Sequence, residues 1–128
     1  MLLLDTCTLL WLVAGGAALS AVARDAISAS GGRLFVSAIT ALEVGIKHRR
    51  EALTLPLAPL VWYERALAFH EVEEIAVDGR IAARSATLPP LHADPCDRII
   101  VATEQRDDLV ILTPDSLIRA YPKTRTRW

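Results

Sequence analysis

The sequence predicts an α/β fold, with a central parallel sheet sandwiched between helices in three layers. Short apolar runs end abruptly in polar residues, as in Leu2-Leu3-Leu4 before Asp5-Thr6 and Val110-Ile111-Leu112 before Thr113-Pro114-Asp115. Such runs read as short buried strands. Segments with helical spacing and capping signals separate them, and strands alternating with helices imply parallel crossovers. Aspartates also stand just beyond two of these runs, at the strand end where open α/β sheets bind ligands.

A chain of 128 residues suits one domain spanning 1–128, large enough for its own core and too short for two. The net charge of −1 gives no global basic field, so any nucleic-acid binding must rest on a local patch. Apolar residues make up 52%, and an exposed apolar surface awaiting a partner is one way to account for the excess. Trp11 and Trp62 are the aromatics expected on such a surface. The run Met1 to Leu4 lacks the basic start and long core of a signal peptide. No run reaches the roughly 18 to 20 apolar residues of a membrane span. The expectation is a cytoplasmic protein without a membrane partner. Cys7 and Cys96 match no zinc or redox spacing and are expected to be buried as small apolar residues.

Taken in order, Leu2 to Leu4 is the first strand, and Thr8 to Val13 forms a helical turn closed by Gly15-Gly16. Ser20 caps a helix reaching Ser30, and Gly31-Gly32 leads into a strand at Arg33 to Val36. Ser37 to Thr40 opens a helix that carries Glu43 and runs to Arg50. Thr40-x-x-Glu43 also matches a capping box, which would leave Glu43 bonded back to the Thr40 amide with no chemical duty. Its end, Lys47-His48-Arg49-Arg50, suits the negative helix terminus as well as it suits RNA phosphates. Pro56 to Pro59 is a loop before a helix from Leu60 to Phe69. Glu73 to Val77 is the next strand, and Asp78 caps a helix from Gly79 to Ala86 that Leu88-Pro89-Pro90 stops.

The chain is organised around His92-Ala93-Asp94-Pro95-Cys96-Asp97-Arg98 and the helix formers that follow. Pro95 has a fixed φ and no N–H to lose, so it suits the first helical position with Asp94 as N-cap. Asp97 then shares a face with Ile100, Val101 and Glu104. An acid on a partly apolar face either offsets the helix dipole or helps hold a divalent metal with carboxylates from elsewhere. Val110 to Leu112 is another buried strand. Asp115 lies just beyond it and can also cap a short helix from Ser116 to Ala120. The basic tail Lys123 to Arg127 is placed as an edge strand. In this architecture Asp5, Glu43, Asp97 and Asp115 can meet at the carboxyl end of the sheet.

These motifs resemble the PIN-domain ribonucleases and, within them, the VapC-type toxins of bacterial toxin–antitoxin pairs. The likeness runs nearly end to end: Leu4-Asp5-Thr6, Ser37-x-x-Thr40-x-x-Glu43, His92-x-Asp94-Pro95-x-Asp97-Arg98, Leu112-Thr113-x-Asp115, Tyr121-Pro122 and Trp128. The resemblance implies a three-layer α/β/α PIN-like domain with a catalytic set of Asp5, Glu43, Asp97 and Asp115. Asp5 and Asp97 would be the principal Mg²⁺ ligands, with Mn²⁺ able to substitute. Thr6 and Thr113 match positions that steady the acids, and Asp94 matches a neighbouring support. The resemblance further implies an RNA substrate, a small antitoxin protein as partner, and a homodimer. Cys96 departs from the family pattern, where a bulky apolar residue is common, and Glu104 stands where a small or neutral residue is usual. His92 is expected to be structural.

The residue chemistry agrees independently. Mg²⁺ prefers oxygen ligands and is typically held by one or two carboxylates plus substrate phosphate. Such a site can orient a water for in-line attack on a phosphodiester. A phosphoacceptor signalling domain would need paired acids at the first strand and a lysine after a later one; Asp5 is single and no lysine stands just beyond Leu112. A dehalogenase-type phosphatase needs a second aspartate two residues after the first, where this chain has Cys7. A housekeeping RNA-processing nuclease and a non-enzymatic binding module on the same fold are the remaining alternatives.

Overall fold

The computed structural model describes all 128 residues. In chain order the elements are β1 (Leu2–Leu4), α1 (Thr6–Val13), α2 (Ala21–Ala29), β2 (Leu34–Ser37), α3 (Ile39–Arg49), α4 (Pro59–Phe69), β3 (Val72–Ile75), α5 (Gly79–Thr87), α6 (Pro95–Asp107), β4 (Val110–Leu112), α7 (Ser116–Arg119) and β5 (Thr126–Arg127). The sheet has the order β3-β2-β1-β4-β5, and every pairing is parallel. This is the expected α/β fold.

Side chains alternate across a strand, and β1 uses both of its faces. Leu2 and Leu4 enter one core with Leu9, Val44, Trp62 and Tyr63, from α1, α3 and α4. Leu3 enters the other with Ile100 and Val101 of α6 and Ile118 of α7. A strand of three residues is therefore buried from both sides, which accounts for its unbroken apolar sequence. No helix is long and apolar enough to cross a membrane.

Several boundaries differ from expectation for local reasons. Helix α1 begins at Thr6 rather than Thr8, because Asp5 accepts the Thr8 N–H at 2.8 Å and caps the helix directly at the strand end. Strand β2 lies one residue later than expected, and β3 starts one residue earlier and ends two earlier than the expected Glu73 to Val77, their register fixed by pairing Leu2 with Leu34 and Leu34 with Val72. The Thr40–Glu43 capping box does not form: the N-cap of α3 is Ala38, with no side-chain cap, and Thr40 lies inside the first turn. Gly31 and Gly32 follow α2 with φ of +64° and +79°, a region glycine enters without steric cost. Trp62 is not an exposed aromatic but part of the core, whereas Phe69, one helical repeat on, is 82% exposed. Cys7 and Cys96 are only partly buried, because both stand beside clefts rather than in a core.

Candidate active site

From the central β1 the chain proceeds to β2 and β3 on one side, then returns to build β4 and β5 on the other. The crevice beyond β1 and β4 is thus a topological switch point. Asp5 follows β1, Asp115 lies just past β4, Glu43 projects from α3, and Asp94 and Asp97 come from the start of α6. All five line one cleft of about 270 Å³ with Thr6, Cys7, Pro114 and a single cation, Lys47. The four acids singled out from the sequence are thereby brought together, and Asp94 joins them.

Capping holds three of these acids in place. Asp5 caps α1, Asp94 caps α6 by accepting the Cys96 N–H at 2.9 Å, and Asp115 caps α7 through the Leu117 and Ile118 amides. The positive ends of these helices therefore meet the cleft's negative charge. Thr113 donates its hydroxyl to Asp5 Oδ2 and accepts the Asp115 N–H at 3.0 Å, tying the two strand ends together. Thr6 donates to Glu43 Oε1 at 2.7 Å, and its hydroxyl also lies 3.2 Å from that of Thr40. Glu43 is thus aimed at the cleft by a neighbouring helix.

Crowding carboxylates in a partly desolvated cleft favours their neutral forms. Burial, reinforced by the charges of Glu43 and Asp94, opposed by His92 and reinforced again by Asp115, pushes the Asp97 carboxyl up to about 7. Glu43 is raised by burial, which the Thr6 hydrogen bond opposes. Asp5 is raised by burial against the hydrogen bonds from Thr113 and Thr8.

His92, to which the sequence assigns only a structural part, also borders these acids. Its Nε2 lies 2.9 Å from Asp97 Oδ2 and hydrogen-bonds Asp115 Oδ2 at 3.4 Å. The spacing His92-x-Asp94 is the signal that could have found it, because Asp94 donates its backbone N–H to His92 Nδ1 at 3.1 Å. Arg98 ties down the segment that delivers His92. Its guanidinium donates to the carbonyls of Ser85, Leu88, Pro89 and His92 and to the Tyr121 hydroxyl, at 2.8 to 3.3 Å. Glu104 does not reach the cleft. It is buried farther along α6 and accepts the Arg125 N–H at 3.3 Å.

A family model described as PIN domain matches residues 2–123. The chain belongs to the PIN-domain family. No curated protein matches it by sequence. Among solved structures it is similar to a DNA-bound VapBC from Salmonella typhimurium, at 18% identity over 98% of this chain and 96% of that one, with a TM-score of 0.70. It is also similar to a toxin–antitoxin complex from Klebsiella pneumoniae, at 23% identity over 100% and 97% of the two chains, with a TM-score of 0.69. FitAcB from Neisseria gonorrhoeae matches at 19% identity over 98% and 96%, with a TM-score of 0.66. At these identities the likeness establishes the shared fold.

The donor set of this PIN domain fits a divalent cation. Ligand atoms of Glu43, Asp94 and Asp97 lie within 4.8 Å of one another, as do those of His92, Asp97 and Asp115. Carboxylate oxygens at such separations suit a hard cation such as Mg²⁺, which keeps part of its water shell. Asp97 is common to both groups. Asp5 reaches the same cleft with both oxygens accepting hydrogen bonds, and a carboxylate oxygen has a second lone pair to offer.

Proposed function

We propose that this PIN domain is a metal-dependent endoribonuclease and the toxin of a toxin–antitoxin pair. The observation that carries the reading is the convergence of Asp5, Glu43, Asp94, Asp97 and Asp115 in one cleft with Lys47 as the only cation. Asp97 and Asp5 would hold Mg²⁺ or Mn²⁺, with Glu43, Asp94 and Asp115 completing the shell directly or through water. When bound, such a cation supplies charge against the scissile phosphate and acidifies water beside it.

The chain's own residues do the rest. Lys47 meets a phosphate oxygen and offsets the repulsion between the RNA backbone and the acids. Glu43, held by Thr6 and raised by burial, accepts the proton of the attacking water. A groove of about 620 Å³ continues from the cleft between α3 and α6, where Ile39, Leu42, Ile46 and Ile99 offer apolar contact and Lys47 and Arg50 offer charge. It gives a single strand a place to lie on either side of the cut.

The antitoxin half of the proposal is supported by the apolar surface left on α4. Phe69 is 82% exposed beside Val13, Leu57 and Trp62, which suits a small protein partner. The chain is further proposed to form a homodimer and to act in the cytoplasm.

Incubation with tRNA, rRNA fragments, mRNA and single-stranded DNA, with Mg²⁺ or Mn²⁺ and with EDTA, tests the chemistry. RNA is expected to be cut only with metal, and Asp5→Asn or Asp97→Asn is expected to abolish cutting in a folded chain. Undiminished cleavage in EDTA, or cleavage of DNA alone, would end the reading. Expression with and without the protein encoded beside it tests the toxin assignment. Growth arrest relieved by a co-purifying partner is expected, and a freely tolerated monomer that purifies alone counts against it.

A further inference from the structure

We propose that His92 is a positioning residue of this cleft, a fixed N–H donor to Asp115 that also lies 2.9 Å from Asp97, rather than a ligand of the cation these acids would hold. The inference rests on the metal-dependent reading above. His92 Nδ1 faces the Asp94 backbone N–H at 3.1 Å. A backbone N–H can only donate, so Nδ1 presents its lone pair and the ring proton of the neutral imidazole sits on Nε2. That nitrogen lies 2.9 Å from Asp97 Oδ2 and 3.4 Å from Asp115 Oδ2.

A histidine that binds a metal through one nitrogen normally donates its other N–H to a carboxylate, carbonyl or water. Here the opposite holds. Ligation through Nε2 would place a proton on Nδ1, directly against the Asp94 N–H. The corner formed by His92, Asp97 and Asp115 therefore looks like a ligand trio by distance alone, and its tautomer makes it a hydrogen-bonded brace. The cation is left to the other flank of Asp97, beside Glu43 and Asp94.

The surroundings of His92 suit a brace. Its side chain is 11% exposed and forms no part of the cleft wall. Its backbone N–H donates to the Tyr121 hydroxyl at 3.1 Å, and its carbonyl accepts from Arg98 at 3.3 Å, so the ring hangs from a segment tied at both backbone groups. Asp97 comes from α6 and Asp115 from beyond β4, and one imidazole spans these two elements. Asp115 is gripped on both oxygens, Oδ1 by the α7 amides and Oδ2 by His92.

Mn²⁺ titration by calorimetry of the purified wild type, His92→Ala, His92→Gln and Tyr121→Phe tests the role, and Co²⁺ absorption spectra complement it. Loss of a partner that orients a metal ligand typically costs about 10- to 100-fold in affinity, and that is the loss expected for His92→Ala. His92→Gln keeps an N–H near the position of Nε2 and is expected to recover most of the binding. Its Co²⁺ spectrum should match wild type. Tyr121→Phe loosens the segment without touching Nε2, so it should lower the melting temperature and leave Mn²⁺ affinity in place.

Wild-type affinity in His92→Ala, equal weakness in the Ala and Gln variants, or a Co²⁺ spectrum altered in His92→Gln would each overturn the assignment. Tyr121→Phe weakening Mn²⁺ as much as His92→Ala would reduce His92 to a structural residue. If His92→Ala fails to fold, the Gln and Phe variants decide. A wild type that binds no Mn²⁺ at all defeats the metal-dependent reading itself, an outcome distinct from a wild type that binds and a His92→Ala that binds equally well.

Discussion

His92 Nε2 and Asp97 Oδ2 meet at 2.9 Å beside a cleft that holds four further carboxylates. The imidazole is one of few groups opposing the negative charge there, and the Asp97 carboxyl still titrates up at about 7, chiefly through burial. A carboxyl whose folded pKa exceeds its unfolded value adds stability that is complete below the unfolded value and disappears as pH rises through the folded one. Without metal, the protein should therefore melt at progressively lower temperature between about pH 4 and about pH 8, by on the order of 2 to 4 kcal/mol from Asp97. Asp97→Asn should flatten this dependence and melt higher than wild type at pH 8 in EDTA, less a few tenths of a kcal/mol of lost dipole interaction. A variant that melts lower than wild type there would make Asp97 a structural helix acid.

Metal should reverse the penalty. Cation at about a hundred times its Kd adds roughly 2.7 kcal/mol to a fold that alone binds it. Thermal melts in rising Mg²⁺ should show this gain in wild type and a much smaller one in Asp97→Asn. Equal gains in the two would place the cation elsewhere.

Thr113 gives a prediction whose pH dependence can be read separately. Its hydroxyl donates to buried Asp5 and accepts the Asp115 N–H. Thr113→Val should destabilise the fold by about 1 to 3 kcal/mol at neutral pH, the cost of leaving buried polar groups without partners. Removing the donor raises the folded pKa of Asp5 further, so the deficit should shrink as pH falls and Asp5 takes up its proton. Urea unfolding at about pH 8 and about pH 4 compares the two, and a deficit independent of pH would show that the Thr113 hydroxyl does not favour the ionised form of Asp5.

Arg98 should not tolerate lysine. The planar guanidinium reaches four carbonyls and a hydroxyl at once, and an ammonium cannot reproduce that fork. Arg98→Lys should cost about 2 to 4 kcal/mol in urea unfolding. Amide exchange should accelerate first in the segment from Leu88 to His92. Unchanged exchange in that segment would show that the prolines hold it without help.

The parts legible from sequence are those governed by local rules. The apolar run of β1 is as buried as its composition demands, and Asp94-Pro95 marks the start of α6 because one residue supplies the cap and the next loses no donor. What escaped depended on contacts between distant segments. Glu43 was open to a capping-box reading because Thr40 lies three residues before it, yet its partner is Thr6, at the start of α1. Asp5 and Asp115 each serve as a cap with one oxygen and face other partners with the second, a division that no spacing rule expresses. The role of His92 follows from the orientation of one backbone amide, which no residue pattern specifies. Trp62 and Phe69 share a helical face by spacing, but only Trp62 enters the core cluster, while Phe69 is left exposed.

The central position of β1 also constrains how the protein comes into being. Of the five strands, β1 is made first yet lies in the middle of the sheet, and its neighbour β4 is made fourth. Pairings this distant in sequence form late, after the entropy of closing a long chain has been met. Until β4 is made, Asp5 waits without Thr113, and the cleft has no far wall. A nascent chain, or a fragment released before residue 115, therefore carries most of the acids but no assembled site. Whatever chemistry the cleft performs is withheld until β4 and Asp115 have been synthesised.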